Sequence, residues 1–268
     1  MDILSCPVCR TPLHRSCGCL TCDGGHSFDL SREGYVNLLI GSKGSHGDNR
    51  LMLESRRRFL ENGYYECLKD AIVRTLLCHA KKDCVLVDVG CGEGYYTEAL
   101  SRALSQRNGT VYGLDVSKDA VRYAARRRCG AQLFVGSAYG MPLCDGCADI
   151  VTLFFSPFAR EELLRVLKRD GIFIMAIPAE EHLFGLKSAV YKTPYKNRVL
   201  DTEIEGFTLL CEEKIEGEIT LSDQESIQAL FAMTPYYYKT SKEDKEKLKH
   251  LPTLTTRIEF LLLTYQKR

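Results

Sequence analysis

From residue 81 onward, short apolar runs alternate with stretches whose apolar residues recur at helical spacing. The runs at residues 85–89, 111–114, 132–135, 148–155 and 171–178 predict five buried strands. The stretches at residues 95–104, 118–128 and 161–168 predict helices between them. Strands that alternate with helices are typical of an α/β fold on a mostly parallel sheet, with a ligand crevice at the carboxyl ends of the strands.

The flanking segments follow other patterns. Residues 51–78 have a helical pattern that Gly63 is expected to divide in two. Residues 207–215 and 258–265 are apolar, β-leaning runs that predict an antiparallel pair closing the sheet. Residues 239–249 alternate in charge and predict a solvated helix, whereas residues 186–205 predict an irregular or helical insertion.

A glycine turn joins the first of these strands to the helix that follows it. Its glycines, Gly90, Gly92 and Gly94, have no Cβ atoms and let a ligand approach the backbone closely. Asp115 ends the second strand, where a carboxylate can accept hydrogen bonds from ribose hydroxyls. A dinucleotide fingerprint needs a third small residue where this chain has Tyr95. With Asp88 in front, the turn instead resembles the first motif of class I S-adenosylmethionine methyltransferases.

This resemblance implies S-adenosylmethionine as cofactor. The cofactor-binding residues it implies in the turn and at the strand ends are Asp88, Gly90, Gly92, Glu93, Gly94, Tyr95, Asp115 and Ser137. Ser137 follows the third strand, where the class usually has an acidic residue that hydrogen-bonds adenine. An adenine contact at this point is therefore expected from Ser137 or from the backbone.

Composition limits the classes of protein. A chain of 268 residues with 45% hydrophobic content can bury one substantial core and a small appendage. The net charge of +1 means that any nucleic acid would be bound by a local basic face. Thirteen scattered cysteines favour a reducing compartment with some metal ligation over a disulfide framework. Because no stretch has the length of a signal peptide core or a membrane span, we expect a cytoplasmic protein without a membrane partner.

Two close pairs of metal ligands lie near the N-terminus. Cys6 and Cys9 form a C-x2-C knuckle, and Cys22 and His26 form a C-x3-H pair. Four such ligands satisfy tetrahedral zinc, and so small a unit has no core with which to fold without it. We therefore predict one structural zinc. Cys17 or Cys19 remains an alternative to Cys22 or His26, and His14 is a weaker competitor.

A longer combination of motifs resembles the large-subunit rRNA guanine-N1 methyltransferases. It comprises the knuckle, HSFDLSREGYVNLL, GDN, RRRFLENGYY and DVGCGEGYYT, and extends to about residue 195, with thinner echoes in EGFTLL and MTPY. The resemblance implies methylation of a guanine in a domain II hairpin of 23S rRNA, near the peptide tunnel, by an enzyme that forms a homodimer. Some members of the family confer macrolide resistance. The resemblance also places Tyr65 and His182 beside the cofactor.

The domain organisation expected from these motifs has three parts. Residues 1–38 form a zinc-binding domain, residues 39–80 a linker loop with helices, and residues 81–268 the methyltransferase domain. Within the linker, the polar loop at residues 41–50 is a candidate lid. Of the consecutive residues Arg56, Arg57 and Arg58, one is expected to pair internally while the others face solvent or phosphate.

Methylation at N1 requires that the guanine be turned out of its stack and that its N1 proton be removed. The sequence does not single out one residue as the general base. The candidates are Asp48 and His182, with Glu180 and Glu181 beside them, and the proton can also leave to water. The segment FFSPF lacks the Asn or Asp that holds an exocyclic amino group, and Phe155 or Phe158 is a candidate for stacking on the base.

Two alternatives come from other functional classes. A metabolite or quinone methyltransferase shares the glycine turn but does not require the zinc unit. A non-catalytic zinc-knuckle RNA-binding protein would have no need for an intact Asp88, glycine turn and Asp115. Cofactor binding separates the non-catalytic protein from the two enzymes, and methylation of ribosomal RNA separates the enzymes from each other.

Overall fold

The computed structural model describes residues 3–41, 49–199 and 201–268. The N-terminal unit is a small antiparallel sheet of three strands, β1 (His14–Ser16), β2 (Cys19–Thr21) and β3 (Ser27–Asp29). A short strand, β4 (Val36–Asn37), leads out of it. The candidate lid lies largely outside the described residues, as does Asp48.

Two helices follow β4, α1 (Arg50–Glu61) and α2 (Glu66–His79). The side chain of Asn49 accepts a hydrogen bond from the Met52 N–H at 3.0 Å and so caps the first helix. Gly63 has a φ of +82° between the two helices. The sequence predicts this break, since glycine adopts such a conformation without a steric penalty.

The remaining elements are seven strands and seven helices within the described residues, which alternate except at β7–β8 and α7–α9. The strands are β5 (Val85–Val89), β6 (Thr110–Asp115), β7 (Gln132–Val135), β8 (Ala148–Phe154), β9 (Leu167–Pro178), β10 (Phe207–Leu221) and β11 (Leu254–Lys267). The helices are α3 (Tyr95–Ser105), α4 (Lys118–Arg126), α5 (Arg160–Val166), α6 (Phe184–Val190), α7 (Gln224–Ala232), α8 (Tyr236–Lys239) and α9 (Lys242–Leu248).

The main sheet has the strand order β10-β11-β9-β8-β5-β6-β7-β4 within the described residues. Neighbouring strands run parallel from β9 to β4, and β11 runs antiparallel to both of its neighbours. This is the class I S-adenosylmethionine methyltransferase fold with an antiparallel edge, as the sequence predicts. Its parallel strands β5 and β8 meet at the centre, where the strand order reverses and a ligand crevice is expected.

Strand β10 and helix α7 are two of the elements that the sequence pattern does not predict in full. Strand β10 is fifteen residues long, although its outer part is mostly exposed and charged and has no apolar strand signal. Its register with β11 runs from Phe207–Lys267 to Leu221–Leu254, so pairing with a buried neighbour sustains it. Helix α7 was also not predicted; the side chain of Asp223 caps it by accepting from the Ser226 N–H at 2.7 Å.

The N-terminal unit is continuous with the main sheet. Strand β4 pairs with β7, so the segment predicted as a zinc-binding domain supplies the edge strand of the cofactor domain. The Ser5 N–H donates to the Pro142 carbonyl at 3.0 Å, and the Cys144 N–H donates to the Ile3 carbonyl at 2.9 Å. Leu4 and Leu13 are buried in the same hydrophobic cluster as the strands of the main sheet. The two parts therefore share a core.

Among the helices of residues 3–41, 49–199 and 201–268, none has the length and apolar character needed to cross a membrane.

Candidate active site and metal centre

The glycine turn between β5 and α3 packs against two neighbouring elements. Gly90 has a φ of +74°, and a Cβ atom there would lie 1.5 Å from the Ser156 Oγ at the end of β8. Gly94 has a φ of +88°, and its Cβ would lie 2.9 Å from the Ala124 Cβ in α4. Side chains are thus excluded at both ends of the turn, and its backbone is held close to the crevice.

Asp115 ties the end of β6 to this turn. Its Oδ2 accepts a hydrogen bond from the Gly92 N–H at 3.0 Å, and its Oδ1 accepts from the Ser117 N–H at 2.8 Å. The Gly136 N–H donates to the Asp115 carbonyl at 3.0 Å, which brings Ser137 to the same edge of the sheet. The predicted ribose and adenine residues therefore lie side by side next to the glycine turn.

The Asp88 side chain turns into the protein interior. Its carboxylate accepts from the Thr97 hydroxyl at 2.6 Å and from the Thr152 hydroxyl at 2.8 Å, joining β5 to α3 and β8. Burial raises the pKa of Asp88 to about 6, although both threonine hydrogen bonds oppose the shift. Asp88 holds the turn in place, and any contact of this residue with a cofactor would come from its backbone.

Glu93 also faces inward, toward the C-terminal end of α4. Arg127 forms an ion pair with its carboxylate and donates from Nε to the Glu93 carbonyl at 2.8 Å. The two side chains are 1% and 7% exposed, so the pair is buried. The helical pattern of residues 118–128 does not predict this contact, because it does not show which residues of other segments the helix will meet. Tyr95 lies on the adjoining face of α3, with the Lys69 ammonium 5.3 Å from its ring centroid.

A cavity of about 320 Å³ opens at the carboxyl ends of β8 and β9 and the start of α3. It lies beside the turn, because Arg56 in its lining reaches within 3.8 Å of the position that a Cβ of Gly92 would take. We call it the aromatic cavity. Its lining residues are Arg56, Leu60, Tyr65, Tyr96, Phe155, Pro178, His182, Leu183, Met233, Thr234, Pro235 and Tyr236. It brings together both residues that the resemblance places beside the cofactor, Tyr65 and His182.

Two residues of this cavity have a strained backbone. Phe155 directly after β8 has a φ of +57°, and Leu183 after β9 has a φ of +56°. Such conformations cost about 1–3 kcal/mol in a non-glycine residue and cluster at functional sites. Phe155 is 47% exposed, so the strained turn presents its ring to the cavity and solvent. Phe158, the other candidate for stacking, lies outside the cavity lining and stacks on Phe173.

Tyr65 and His182 are linked by a buried hydrogen bond. The Tyr65 hydroxyl lies 3.2 Å from His182 Nε2, and His182 Nδ1 accepts from the Glu259 backbone N–H at 3.2 Å. Burial, with a smaller effect of the Lys187 cation, lowers the pKa of His182 to about 3. The imidazole is therefore neutral at physiological pH.

The sequence does not predict a site role for residues 233–236 or for Arg56, although both line the cavity. Residues 233–236 are the MTPY segment of the family resemblance, and this resemblance is the sequence feature that points to them. Arg56 is the member of the arginine triplet that turns into the cavity. Arg57 pairs with Glu61 at 2.9 Å, and Arg58 pairs with Glu225.

The acidic candidates for a general base are placed away from the cavity lining. Glu181 pairs with the Lys196 ammonium at 2.6 Å, and Glu180 lies 3.5 Å from the same group. Asp48 is outside the described residues.

The four predicted zinc ligands converge in the N-terminal unit. The ligand atoms of Cys6, Cys9, Cys22 and His26 all lie within 4.8 Å of one another. The Cys22 Sγ is 3.4 Å from His26 Nδ1 and 3.5 Å from the Cys9 Sγ. Zinc–sulfur bonds of about 2.3 Å give tetrahedral edges of roughly 3.5–4 Å, so this donor set fits zinc.

The alternative ligands lie apart from this cluster. Among the described residues, the group of metal-ligating side chains includes neither Cys17 nor Cys19. The Cys19 thiol instead donates to the Ser16 carbonyl at 3.0 Å, and Cys17 and His14 are exposed. Within the described residues the cluster consists of four ligands, and four protein ligands are typical of a closed structural zinc site.

Comparisons with known proteins bear on both halves of the chain. A family model described as "RlmA, N-terminal" matches residues 4–45, and one described as "Methyltransferase domain" matches residues 86–171. The chain is 30% identical over 258 residues to the 23S rRNA (guanine(748)-N(1))-methyltransferase of Streptomyces fradiae, covering 93% of this chain and 91% of that protein.

Two further relatives carry provisional names as 23S rRNA (guanine-N(1)-)-methyltransferases. A protein of Bacillus subtilis (strain 168) is 32% identical over 278 residues, covering 97% of this chain and 96% of the relative. A protein of Micromonospora griseorubida is 35% identical over 202 residues, covering 68% of each. The similarity thus spans the zinc unit, the glycine turn and the C-terminal strands together.

Proposed function

The chain belongs to the 23S rRNA (guanine-N1)-methyltransferase family, and we propose that it methylates a guanine in a domain II hairpin of 23S rRNA, near the peptide exit tunnel. It is an S-adenosylmethionine-dependent rRNA methyltransferase with a structural zinc site. The name of the Streptomyces fradiae relative specifies guanine 748. The guanine at the corresponding position is the proposed target.

The aromatic cavity is the observation that supports a base as substrate. A guanine turned out of its stack needs a flat, largely apolar pocket with a few polar groups, next to the methyl donor. The cavity has such walls in Tyr65, Tyr96, Phe155 and Tyr236 and lies beside the glycine turn. We propose that Phe155 stacks on the extruded base.

The cofactor is proposed to lie across the glycine turn. Asp115 would accept hydrogen bonds from the ribose hydroxyls, and Ser137 or its backbone would contact the adenine. Gly90 lets the turn pack directly against Ser156, and the methionine part is proposed to approach the backbone of the turn from the side of the crevice. Glu93 and Asp88 act by bracing this turn from behind.

When bound, S-adenosylmethionine would supply an electrophilic methyl group for guanine N1, with the electron pair of the broken carbon–sulfur bond left on sulfur. The N1 proton must leave near the transition state. His182 is neutral and its Nδ1 already accepts from a backbone N–H, so it has no free lone pair for this proton. We propose that the proton passes to water, while the cavity holds N1 in line with the methyl group.

Transfer of radiolabelled methyl groups to unmodified 23S rRNA, followed by nucleoside analysis, tests this function. We expect a labelled 1-methylguanosine peak that maps to the domain II hairpin. A different methylated nucleoside would refute the proposed target atom. Label on metabolites or quinones, with none on RNA, would instead favour the small-molecule alternative, and cofactor binding without any transfer would favour the non-catalytic one.

Two narrower properties belong to the same proposal. We propose that the modification changes macrolide sensitivity, which growth inhibition of isogenic strains with and without the active enzyme would measure. We also propose that the protein acts as a homodimer in the cytoplasm, because two subunits would widen the surface for RNA. Sedimentation equilibrium of the purified protein would reveal a monomer if this is wrong.

A further inference from the structure

The hydrogen bonds of His182 determine its tautomer. The Glu259 backbone N–H can only donate, so Nδ1 of the ring is the acceptor and carries no proton. A neutral imidazole then has its proton on Nε2, the atom that lies 3.2 Å from the Tyr65 hydroxyl. His182 therefore donates to Tyr65, and the Tyr65 oxygen is the acceptor in this contact.

The hydroxyl hydrogen of Tyr65 consequently points away from His182. Within the described parts of the chain, this hydroxyl has a hydrogen bond to His182 alone, and Tyr65 itself is only 4% exposed. Both residues line the aromatic cavity. A buried donor without an acceptor is unfavourable, so the arrangement favours a ligand that brings an acceptor into the cavity.

Aromatic packing holds the two rings of the pair in place. The Phe260 ring lies 4.9 Å from the Tyr65 ring and 4.5 Å from the His182 ring, measured between centroids. Burial raises the pKa of Tyr65 above its ordinary value, so the phenol keeps its proton at physiological pH. The phenol is a donor and does not act as a base.

We propose that Tyr65, oriented by His182, donates a hydrogen bond to O6 of the target guanine. This rests on the proposed function. O6 is adjacent to N1, and it takes up negative charge as N1 loses its proton to water. A donor aimed at O6 stabilises that charge in the transition state. The same donor discriminates against adenine, because adenine presents amino hydrogens at this position where guanine presents an acceptor.

The first test compares wild type with Tyr65→Phe in single-turnover methyl transfer at saturating cofactor and RNA. Since hydrogen bonds to charged groups contribute about 1.5–3 kcal/mol, we expect the rate to fall roughly 10- to 150-fold. Cofactor affinity, measured by calorimetry, should stay within about threefold. The deficit should shrink at higher pH, where N1 deprotonates without help.

Tyr265→Phe is the matched control. Its hydroxyl is also buried and donates to the Thr202 carbonyl at 2.9 Å, but Tyr265 pairs with Phe173 in the middle of β9 and does not line the aromatic cavity. We expect a rate close to that of wild type. His182→Gln should retain more activity than His182→Leu, because a glutamine amide still offers a donor to Tyr65.

A substrate-side experiment separates O6 from other acceptors. Replacing the target guanosine with 6-thioguanosine puts a weak acceptor, sulfur, in the place of O6. The ratio of wild-type to Tyr65→Phe rates should then fall toward one. An unchanged ratio would refute the contact with O6.

The outcomes distinguish this inference from the proposed function. If wild type forms 1-methylguanosine and a folded Tyr65→Phe variant is equally active, the role of Tyr65 is wrong and the function stands. If Tyr65→Phe loses cofactor affinity in proportion to its rate, the hydroxyl serves the cofactor and not the base. If wild type forms no 1-methylguanosine, the proposed function itself fails.

Discussion

Replacing Arg127 with methionine should destabilise the protein through Glu93. The Glu93 side chain is 1% exposed, and its Oε1 has no hydrogen-bond partner among the described residues even with Arg127 present. The other acidic partners of Arg127 keep their own cations: Glu61 pairs with Arg57 at 2.9 Å, and Glu98 pairs with Arg102 at 2.5 Å. The penalty should therefore arise at one carboxylate.

The loss of folding free energy depends on whether Glu93 stays ionised or becomes protonated. Removing one partner of a buried ion pair typically costs about 3–5 kcal/mol. Protonation of the orphaned Glu93 sets an upper limit of about 1.4 kcal/mol per pH unit above its reference pKa of about 4.3, or roughly 3.7 kcal/mol at pH 7. At pH 5 the limit is only about 1 kcal/mol.

The loss of stability in Arg127→Met should increase with pH. Burial already raises the pKa of Glu93, against the lowering effect of Arg127, and loss of the arginine would raise this pKa further. A carboxyl group whose folded pKa lies above its unfolded value loses stability as pH rises above the unfolded value. The variant should therefore be more strongly destabilised at pH 7 than at pH 5.

Thermal and urea unfolding of wild type and Arg127→Met at both pH values would measure this. At pH 7 a loss of about 3 kcal/mol corresponds to a decrease in Tm of roughly 6–12 °C. Arg126→Met is the matched control, since Arg126 is 50% exposed and lies 3.5 Å from Glu33. A second control, Glu93→Gln with Arg127→Met, should recover most of the stability. Equal losses at the two pH values, or in the Glu93→Gln background, would refute the reasoning.

Three further predictions concern the cofactor, the metal and the base. Gly90→Ala should weaken cofactor binding at least 100-fold by calorimetry, because its Cβ would overlap the Ser156 Oγ and its φ is positive. Cys22→Ser should lose zinc in metal analysis and should also lower cofactor affinity, since the zinc unit is hydrogen-bonded to the strand connection at residues 142–144. Phe155→Ala should slow RNA methylation about 5- to 150-fold, the equivalent of one stacking contact of about 1–3 kcal/mol, with cofactor affinity retained.

Each of these three predictions has a matched control, the same kind of substitution at a second residue of the same type. Gly146 also has a positive φ but has open space around it, so Gly146→Ala should leave cofactor binding intact. Cys19→Ser should keep a full complement of zinc, because that thiol lies outside the cluster. Phe158→Ala should affect RNA methylation less than Phe155→Ala. Equal effects within any pair would contradict the assignment that the pair tests.

The local patterns of the chain predict much of the fold because they report which residues must be buried. Strands β5 and β7 begin and end where their apolar runs do. The glycine turn and the two pairs of zinc ligands are equally local, since close spacing along the chain already places those groups near each other. The exposed outer part of β10 could not be found in this way, because its pairing partner β11 is more than thirty residues away.

The sequence by itself determined the fold class, the glycine turn with Asp115 beside it, and the zinc ligands, since short-range spacing and hydrophobic periodicity encode all of them. Only the tertiary structure decided the roles of side chains that depend on distant partners. In the folded protein Arg127 forms an ion pair with Glu93, and Phe155, not Phe158, lines the cavity. Tyr65 forms a hydrogen bond with His182, which is 117 residues away along the chain. The direction of a side chain depends on what packs around it, and that packing exists only once the sheet has brought separate segments together.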